Sequence, residues 1–384
     1  MRKPKEWGQP CPNPACTHYR RLQQGNVSAI ATYLTQSGKR RLCRCHTCET
    51  PFSETRATVF FDLRTSEEKV MMALKMLLVR VDLTGISFVL GVTEETVLAW
   101  LRRVAHQAEA INQHLLRNLP VTQVQLDEMW NFIARKHARE TDEAGESLPE
   151  GQDGRQWVWV SFAPEFRLMI AAVVGPRTLD TAKEVVAATK ARVAGIPAFF
   201  SDGFTCYLAA LIAAFHVVMT FAPTGKRGRP RKPVCTPHPD LIYGQLVKQK
   251  KHGKLLTLST RVVLGAERLT HLGLAISTAL VERVNLTLRQ ALAPLGRKTS
   301  SFCKDRERLR QRVVFFQAFY NVARPHMSLR QPFPLHERTH HGAIRPRWRQ
   351  RTPAMAAGVT DHVWTFRELL TAKLEPLDSQ SISG

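Results

Sequence analysis

The pattern of apolar and polar positions changes several times along the chain. Up to about residue 61 the sequence is cysteine-rich and shows little helical periodicity. From Thr65 to Leu119 apolar residues recur at helical spacing. From Pro120 the chain alternates β-branched and aromatic runs with helical stretches, and beyond Arg324 proline and arginine dominate. We therefore predict a multidomain chain with segments at 1–61, 62–119, 120–330 and 331–384.

The third segment has the texture of an α/β domain. Its order predicts a mixed sheet in which three antiparallel strands are followed by parallel strands, with a basic insertion at about 223–270. The predicted elements are strands at Val121–Leu126, Trp157–Phe162, Arg167–Val174, Ala198–Ser201 and His216–Phe221, and helices at Thr178–Ala194, Phe204–Ala214, Ala275–Ala293 and Lys304–Val322.

The second segment contains a candidate helix-turn-helix. A helix ending at Leu90 is followed by a glycine turn, and Thr93 is a good N-cap for the next helix. The second helix buries one apolar side and leaves Arg102 and Arg103 available for phosphate groups. An ordinary helical hairpin is the alternative explanation of the same pattern.

Composition narrows the choice of partner. The 384 residues are 44% hydrophobic, which excludes wholesale disorder. The chain has 55 lysines and arginines and 32 aspartates and glutamates, so its formal net charge at pH 7 is +23. Such a surplus predicts a polyanionic partner, with nucleic acid favoured over an acidic membrane surface. The apolar stretch Tyr207–Ala222 is shorter than the roughly 20 residues of a membrane span, and the first residues lack an apolar core, so we expect neither a membrane span nor a secretory signal. We expect a cytoplasmic, nucleoid-associated protein.

Five of the eight cysteines lie in the first 48 residues. Two short pairs separated by a hairpin's length of chain are typical of a structural zinc site. We predict Cys11, Cys16, Cys45 and Cys48 as the ligands, with Cys43 as a spare that could replace Cys45. Unrelated buried thiols are the alternative.

Three carboxylates occur in contexts that suit a divalent metal. Asp127 and Asp202 are each predicted at the end of an apolar strand, and Glu282 shares one helix face with Asn285 and Arg289. Carboxylate oxygens are the ligands that Mg²⁺ or Mn²⁺ prefers, and two such ions can activate a hydroxyl group and stabilise a leaving phosphodiester oxygen. Glu128 is an alternative to Asp127. In this arrangement Arg289 could hold a phosphate, and Asn285 could orient the glutamate or contact DNA.

The segment VERVNLTLRQALAPLGRKTSSFCK, which contains Glu282, closely resembles the catalytic motif of bacterial insertion-sequence transposases of the insertion-sequence-one type. The segments LDEMWNF and SDGFTCY resemble the first and second acidic motifs of that family. CHTCETPFSETRATVF resembles its N-terminal zinc ribbon, and YNVARPHMSL and RTPAMAAGVTDHVW resemble C-terminal stretches of related transposases. The loop at 140–154 and the insertion at 223–270 are longer than the family pattern.

The resemblance implies an RNase H-like catalytic domain of the DDE type. Asp127, Asp202 and Glu282 would bind Mg²⁺ or Mn²⁺, with Arg289 as the accompanying basic residue. The implied activity is cleavage at the terminal inverted repeats of a mobile element and strand transfer into target DNA, by a homo-oligomer. A non-catalytic DNA-binding regulator and an RNase H-like nuclease without strand transfer remain alternatives.

Further basic residues are candidate DNA contacts. Arg297 and Lys298 belong to the catalytic motif, and the insertion contains the run KRGRPRK, which resembles an AT-hook for the minor groove. A solvated basic loop is the alternative. The residues of this run assigned to DNA are Lys226, Arg227, Gly228, Arg229, Pro230 and Arg231.

Overall fold

The N-terminal segment folds as a small antiparallel sheet. The computed structural model describes residues 9–134, 154–221, 231–251, 254–333, 339–340, 343–344 and 347–375. Strands β1 (Val27–Thr35), β2 (Gly38–Cys45) and β3 (Pro51–Ser53) pair in that order. The buried residues of this sheet are mostly cysteines, joined by Val27 and Phe52. A core this small leaves the segment dependent on some other stabilising element.

Three helices follow, namely α1 (Glu67–Leu77), α2 (Leu83–Leu90) and α3 (Glu94–Leu115). Gly91 ends α2 with φ +60°, a left-handed conformation that favours glycine. Thr93 caps α3 by accepting a hydrogen bond from the Thr96 backbone N–H. The predicted turn and cap therefore form a helix-turn-helix conformation.

The third segment builds a six-stranded mixed sheet. Its spatial order is β11-β10-β7-β4-β5-β6, in which β4 is antiparallel to β5 and parallel to β7, and β7 is parallel to β10. The strands of this part of the chain are β4 (Gln123–Ile133), β5 (Gly154–Ala163), β6 (Leu168–Gly175), β7 (Ala198–Asp202), β8 (His216–Met219), β9 (Val234–Pro237), β10 (Tyr243–Lys251) and β11 (Lys254–Leu264).

The prediction of an insertion across 223–270 is wrong for its second half, because β10 and β11 are strands of the main sheet. The buried run Leu241–Tyr243 leads into β10 beside β7, whereas the basic residues of this stretch had suggested an insertion. Strand β8, predicted as a buried strand, pairs instead with β9 outside the sheet, and Val218 is 54% exposed. In the main sheet, β10 and not β8 is the strand that pairs with β7 on the side away from β4.

Helices cover both faces of the sheet. One core joins the sheet to α4 and α5 through residues such as Leu126, Val186 and Leu211. The other joins it to α3, α7 and α8, and includes Met129 and Leu288. The helix-turn-helix thus shares a core with the sheet, and the predicted boundary at residue 119 does not separate two cores. The helices are α4 (Leu179–Lys190), α5 (Cys206–Ala214), α6 (Ala266–Leu272), α7 (Ala279–Ala291) and α8 (Arg306–Ala318).

The C-terminal segment returns to the N-terminal part of the chain. Helix α9 (Pro353–Ala356) precedes α10 (Phe366–Thr371), and Leu369 and Leu370 of α10 are fully buried in the core that contains α3. The Val59 backbone N–H donates to the Leu370 carbonyl at 3.1 Å. The predicted C-terminal extension is therefore partly a structural component of the core. Within the described ranges, no helix is long and apolar enough to cross a bilayer.

Candidate active site and metal centre

Strand β4 carries two adjacent acids on opposite faces. It continues to Ile133, so Asp127 lies in mid-strand rather than at the strand end predicted from sequence. Because side chains alternate along a strand, Asp127 faces α7, and Glu128 faces the side covered by α4 and α5. The two acids therefore belong to different environments.

Glu128 is buried and is held by a hydrogen-bonded ion pair with the partly exposed Arg177. Its Oε1 accepts from Arg177 Nε at 2.9 Å and Nη2 at 2.6 Å, and its Oε2 accepts from the Tyr207 hydroxyl at 2.8 Å. The Arg177 guanidinium also lies 4.9 Å from the Trp157 ring centroid and 4.2 Å from that of Phe204. With both oxygens bound to protein donors, Glu128 is a poor candidate for a metal ligand. Sequence reasoning had missed both Arg177 and Tyr207.

Asp202 is the last residue of β7, as predicted. The parallel register pairs Gln125 with Phe200, and two residues further on it places Asp127 beside Asp202 on the same face of the sheet. Asp202 Oδ1 accepts from the Phe204 backbone N–H at 3.0 Å, which fixes the turn into α5. The first two predicted acids are therefore neighbours on adjacent strands.

Helix α7 brings the remaining polar groups onto this face. Asn285 Nδ2 donates to Asp127 Oδ2 at 2.7 Å, and Gln125 Oε1 accepts from the Val281 backbone N–H at 3.0 Å, so two side-chain bonds fasten the helix to β4. Glu282 accepts from the Thr278 hydroxyl at 2.7 Å and forms an ion pair with Lys248 of β10. Lys248 therefore contacts the site through Glu282.

The electrostatics reflect this crowding of acids. Burial, reinforced by the charges of Glu128, Asp202 and Glu282, raises the pKa of Asp127 to about 7, against the lowering effect of the Asn285 hydrogen bond. The carboxylate oxygens of Asp127, Asp202 and Glu282 do not form a group within 4.8 Å of one another in the described part of the chain. Asp202 of the sheet and Glu282 of α7 therefore lie near enough to Asp127 to raise its pKa.

Arg289 is engaged by backbone carbonyls. Its guanidinium donates to the carbonyls of Trp130 and Leu295, each at 3.1 Å, and so joins the end of α7 to β4 and to the following turn. Burial and the nearby charge of Arg297 lower its pKa. Arg297 and Lys298 are exposed on the loop beyond it. The structure thus gives Arg289 a structural role in addition to the phosphate contact predicted for it.

Four cysteines in the N-terminal segment form a cluster that could hold a metal ion. The Sγ atoms of Cys11, Cys16, Cys45 and Cys48 all lie within 4.8 Å of one another. Side-chain hydrogen bonding between Cys48 and Thr50 is the main factor that lowers the pKa of the Cys48 thiol to about 6. Cys43 is buried on β2 opposite Phe52 and lies outside the cluster, which answers the question of which β2 cysteine joins it.

The remaining predicted DNA contacts differ in how far the structure describes them. Arg102 and Arg103 are exposed on α3, and Arg103 donates to the Phe61 carbonyl. The first turn of α3 presents exposed Glu94 and Glu95, which would repel phosphate. In the KRGRPRK run, Arg231 and Lys232 lie within the described residues and both are exposed; the Arg231 guanidinium is 5.5 Å from the Phe221 ring centroid. The other five residues assigned there, at 226–230, lie outside the described residues.

Comparisons with known proteins give weak similarity. No family model matches the sequence, and no curated protein matches it. Among solved structures, a Mos1 transposase paired-end complex with the left transposon end has 14% identity and a TM-score of 0.15, covering 38% of this chain and 56% of that one. The Mos1 strand transfer complex has 14% sequence identity and a TM-score of 0.15, and the match covers 37% of this chain and 52% of that one. The chain thus spans about half the length of the transposase chains to which it has weak structural similarity.

Proposed function

We propose that this chain is a DNA transposase of the DDE type, similar to those of the insertion-sequence-one type, with an RNase H-like catalytic domain. It binds the terminal inverted repeats of a mobile element, cleaves at their ends and joins the 3′ hydroxyls to target DNA. Two ends must be held together for joining, so the active form is a homo-oligomer. It would act in the cytoplasm at the nucleoid.

One observation carries this proposal. Asp127 and Asp202 are adjacent on neighbouring strands, and α7 places Asn285 in hydrogen-bond contact with Asp127 and Glu282 one helical turn earlier on the same helix. Motifs far apart in the chain therefore converge on one face of one sheet. This convergence is what phosphodiester chemistry by a carboxylate cluster requires.

The chemistry of the donor set suits a divalent cation, and binding one would draw the three acids closer together than they lie in this structure. The oxygens of the donor set are the hard ligands that Mg²⁺ or Mn²⁺ prefers, and the Asn285 Oδ1 is buried and has no hydrogen-bond partner among the described residues. A cation would favour the ionised form of Asp127, whose pKa is raised by burial and neighbouring acids. Asp127, Asp202 and Glu282 would hold the ion, and Asn285 would keep the Asp127 carboxylate oriented. When bound, the metal supplies activation of the attacking hydroxyl and stabilisation of the leaving oxygen.

The cysteine cluster fits zinc. A tetrahedral site with Zn–S bonds of about 2.3 Å has sulfur–sulfur edges of about 3.8 Å. The Cys11–Cys48 and Cys16–Cys45 Sγ distances are 3.5 and 3.9 Å. Zinc would therefore be structural and would stabilise a segment whose own core is small.

Two other functions share parts of this site. A transposase-derived regulator would bind DNA without chemistry, and an RNase H-like nuclease would cleave without joining. The discriminating experiment gives the full-length, zinc-loaded protein end-labelled duplexes carrying the element's terminal repeats, together with a target plasmid and Mg²⁺ or Mn²⁺. We expect covalently joined products. Cleavage alone would indicate the nuclease, and binding without either product would indicate the regulator.

A further inference from the structure

A basic cleft lies where the N-terminal sheet, α3 and the C-terminal segment meet. It has a volume of about 670 Å³ and includes residues from all three parts of the chain. Among the described residues, its lining carries the cationic side chains of Arg20, Arg56, Arg102, Arg103 and Lys373 together with His106, and it contains no aspartate or glutamate, although Cys11 of the cysteine cluster also lines it. A cleft of one charge sign focuses its field on a ligand of the opposite sign.

The cleft arginines differ from arginines elsewhere in this protein. Arg177, Arg268 and Arg310 each form ion pairs with carboxylates. By contrast, Arg20, Arg56, Arg102 and Arg103 form no ion pair within the ranges that the structure describes. Arginines gathered in one cleft without ion-pair partners repel one another, so their arrangement suits an external anion. The thiolates of a zinc-loaded cluster, which includes Cys11 of the lining, would offset only part of this positive charge.

Aromatic and backbone contacts orient these arginines. The Arg56 guanidinium lies 4.5 Å from the Phe61 ring centroid, and that of Arg20 lies 5.5 Å from the Tyr19 ring centroid. Arg103 donates to the Phe61 carbonyl. Guanidinium groups held in this way lose less side-chain entropy when they bind a phosphate than freely moving ones would.

We propose that this cleft binds the sugar-phosphate backbone of DNA, so that the zinc-dependent sheet, the helix-turn-helix and the C-terminal segment contact DNA as one surface. This inference rests on the proposed function, because it assumes that the chain binds DNA. It adds Arg20, Arg56 and Lys373 to the contacts predicted from sequence. It keeps Arg102 and Arg103 as the phosphate contacts predicted from sequence, whereas the acidic first turn of α3 contributes no residue to the cleft lining among the described residues.

The geometry makes the surface composite. Arg20 follows the cysteine pair of the cluster and its backbone N–H donates to the Cys11 carbonyl at 2.9 Å, so the metal site positions it. Lys373 lies just past α10, whose leucines are buried in the shared core. One wall of the cleft is thus positioned by the metal site, and the walls from α3 and the C-terminal segment are positioned by the core that these two elements share. Loss of either support should weaken the same interaction.

The test measures binding of a terminal-repeat duplex to the full-length, zinc-loaded protein by fluorescence anisotropy over a range of salt concentrations. Each phosphate contact contributes about 0.9 to the slope of log K against log salt, which is roughly a fivefold change in affinity near 0.15 M salt. The Arg20→Gln/Arg56→Gln variant should therefore bind roughly 30-fold more weakly, with a slope smaller by about 2. Arg20→Lys/Arg56→Lys, which keeps the charges, should retain most of the affinity.

The matched control is Arg21→Gln/Arg64→Gln, which removes two exposed arginines of the same region that do not line the cleft. Zinc content and melting temperature, checked for every variant, identify any loss of folding. If cleft and control variants lose equal affinity, the cleft assignment is wrong while the proposed function stands. If the wild type fails to bind DNA, both are wrong. If ATP at constant ionic strength displaces the duplex competitively at micromolar concentration, the cleft is a nucleotide pocket and the inference is overturned.

Discussion

Asn285 of α7 donates a hydrogen bond of 2.7 Å to Asp127 of β4, although the two residues are 158 positions apart. This bond joins the helix that carries Glu282 to the strand that carries the first acid. Because Asn285 Oδ1 is buried without a partner among the described residues, the side chain is oriented by the carboxylate alone. The hydrogen bond therefore connects the motif that contains Asp127 to the motif that contains Glu282, which are far apart in the sequence.

The adjacent acids Asp127 and Glu128 give a sharp test of which one serves the chemistry. Asp127→Asn should abolish cleavage and strand transfer while leaving DNA binding intact, because a carboxylate facing α7 is lost. Glu128→Gln, which changes the acid on the opposite face, should retain activity within roughly threefold, with a stability cost of about 1–3 kcal/mol. The test measures the strand-transfer rate and, by anisotropy, the DNA affinity of both variants. If Glu128→Gln loses strand transfer and Asp127→Asn keeps it, Glu128 is the functional acid.

The Glu128–Arg177 pair should behave as a coupled structural unit. Arg177→Met leaves a carboxylate whose side chain is 2% exposed without its cation, and we expect a loss of about 2–3 kcal/mol, below the value for a fully buried pair because Arg177 is 40% exposed. Arg177→Met/Glu128→Gln should be less destabilised than Arg177→Met alone. Urea unfolding measures both. Additive losses in the double variant would show that the pair has no mutual stabilisation.

The cysteine cluster makes a prediction in which one residue is the control for its neighbour. Cys45→Ala should abolish stoichiometric zinc binding and unfold the N-terminal sheet, because Cys45 lies in the cluster. Cys43→Ala, two positions earlier on the same strand and equally buried, should keep one zinc ion per chain and lose only about 1 kcal/mol. Elemental analysis and thermal melting distinguish the two, and loss of zinc in the Cys43 variant would contradict the assignment.

Much of the fold follows from local signals in the sequence. The Gly91 turn and Thr93 cap were predictable because left-handed backbone and N-terminal helix donors have strong residue preferences. The opposite orientations of Asp127 and Glu128 also follow from strand alternation, once β4 is known to extend past Asp127. That extension carries an alternation of buried residues through Met129 to Ile133, which ends the strand later than the sequence had suggested.

Other features depend on long-range packing that local patterns do not encode. Strand β10 was not predicted because a lysine-rich sequence around Lys248 is typical of an exposed basic insertion. In the sheet, Lys248 forms an ion pair with Glu282. The partners of Glu128 come from a turn and a helix that are brought together only by the fold. The basic cleft, similarly, needs residues from both ends of the chain, and Arg56 and Lys373 carry no signal that relates them in sequence.

The DNA affinity of the basic cleft should decline at alkaline pH. Lys373 donates to the Glu54 carbonyl at 3.0 Å, and burial lowers its pKa to about 8, with Cys43 and Glu54 acting in the opposite direction. The protonated lysine is the form that attracts phosphate, so its contribution is complete well below pH 8 and is lost as pH rises through this value, while the arginines stay charged. Between about pH 7 and about pH 9.5 we expect roughly a fivefold loss of affinity. Lys373→Met should bind more weakly at neutral pH and show little further change over this range. Anisotropy titrations at constant ionic strength measure both profiles, and an identical decline in the two proteins would assign the pH dependence to another group.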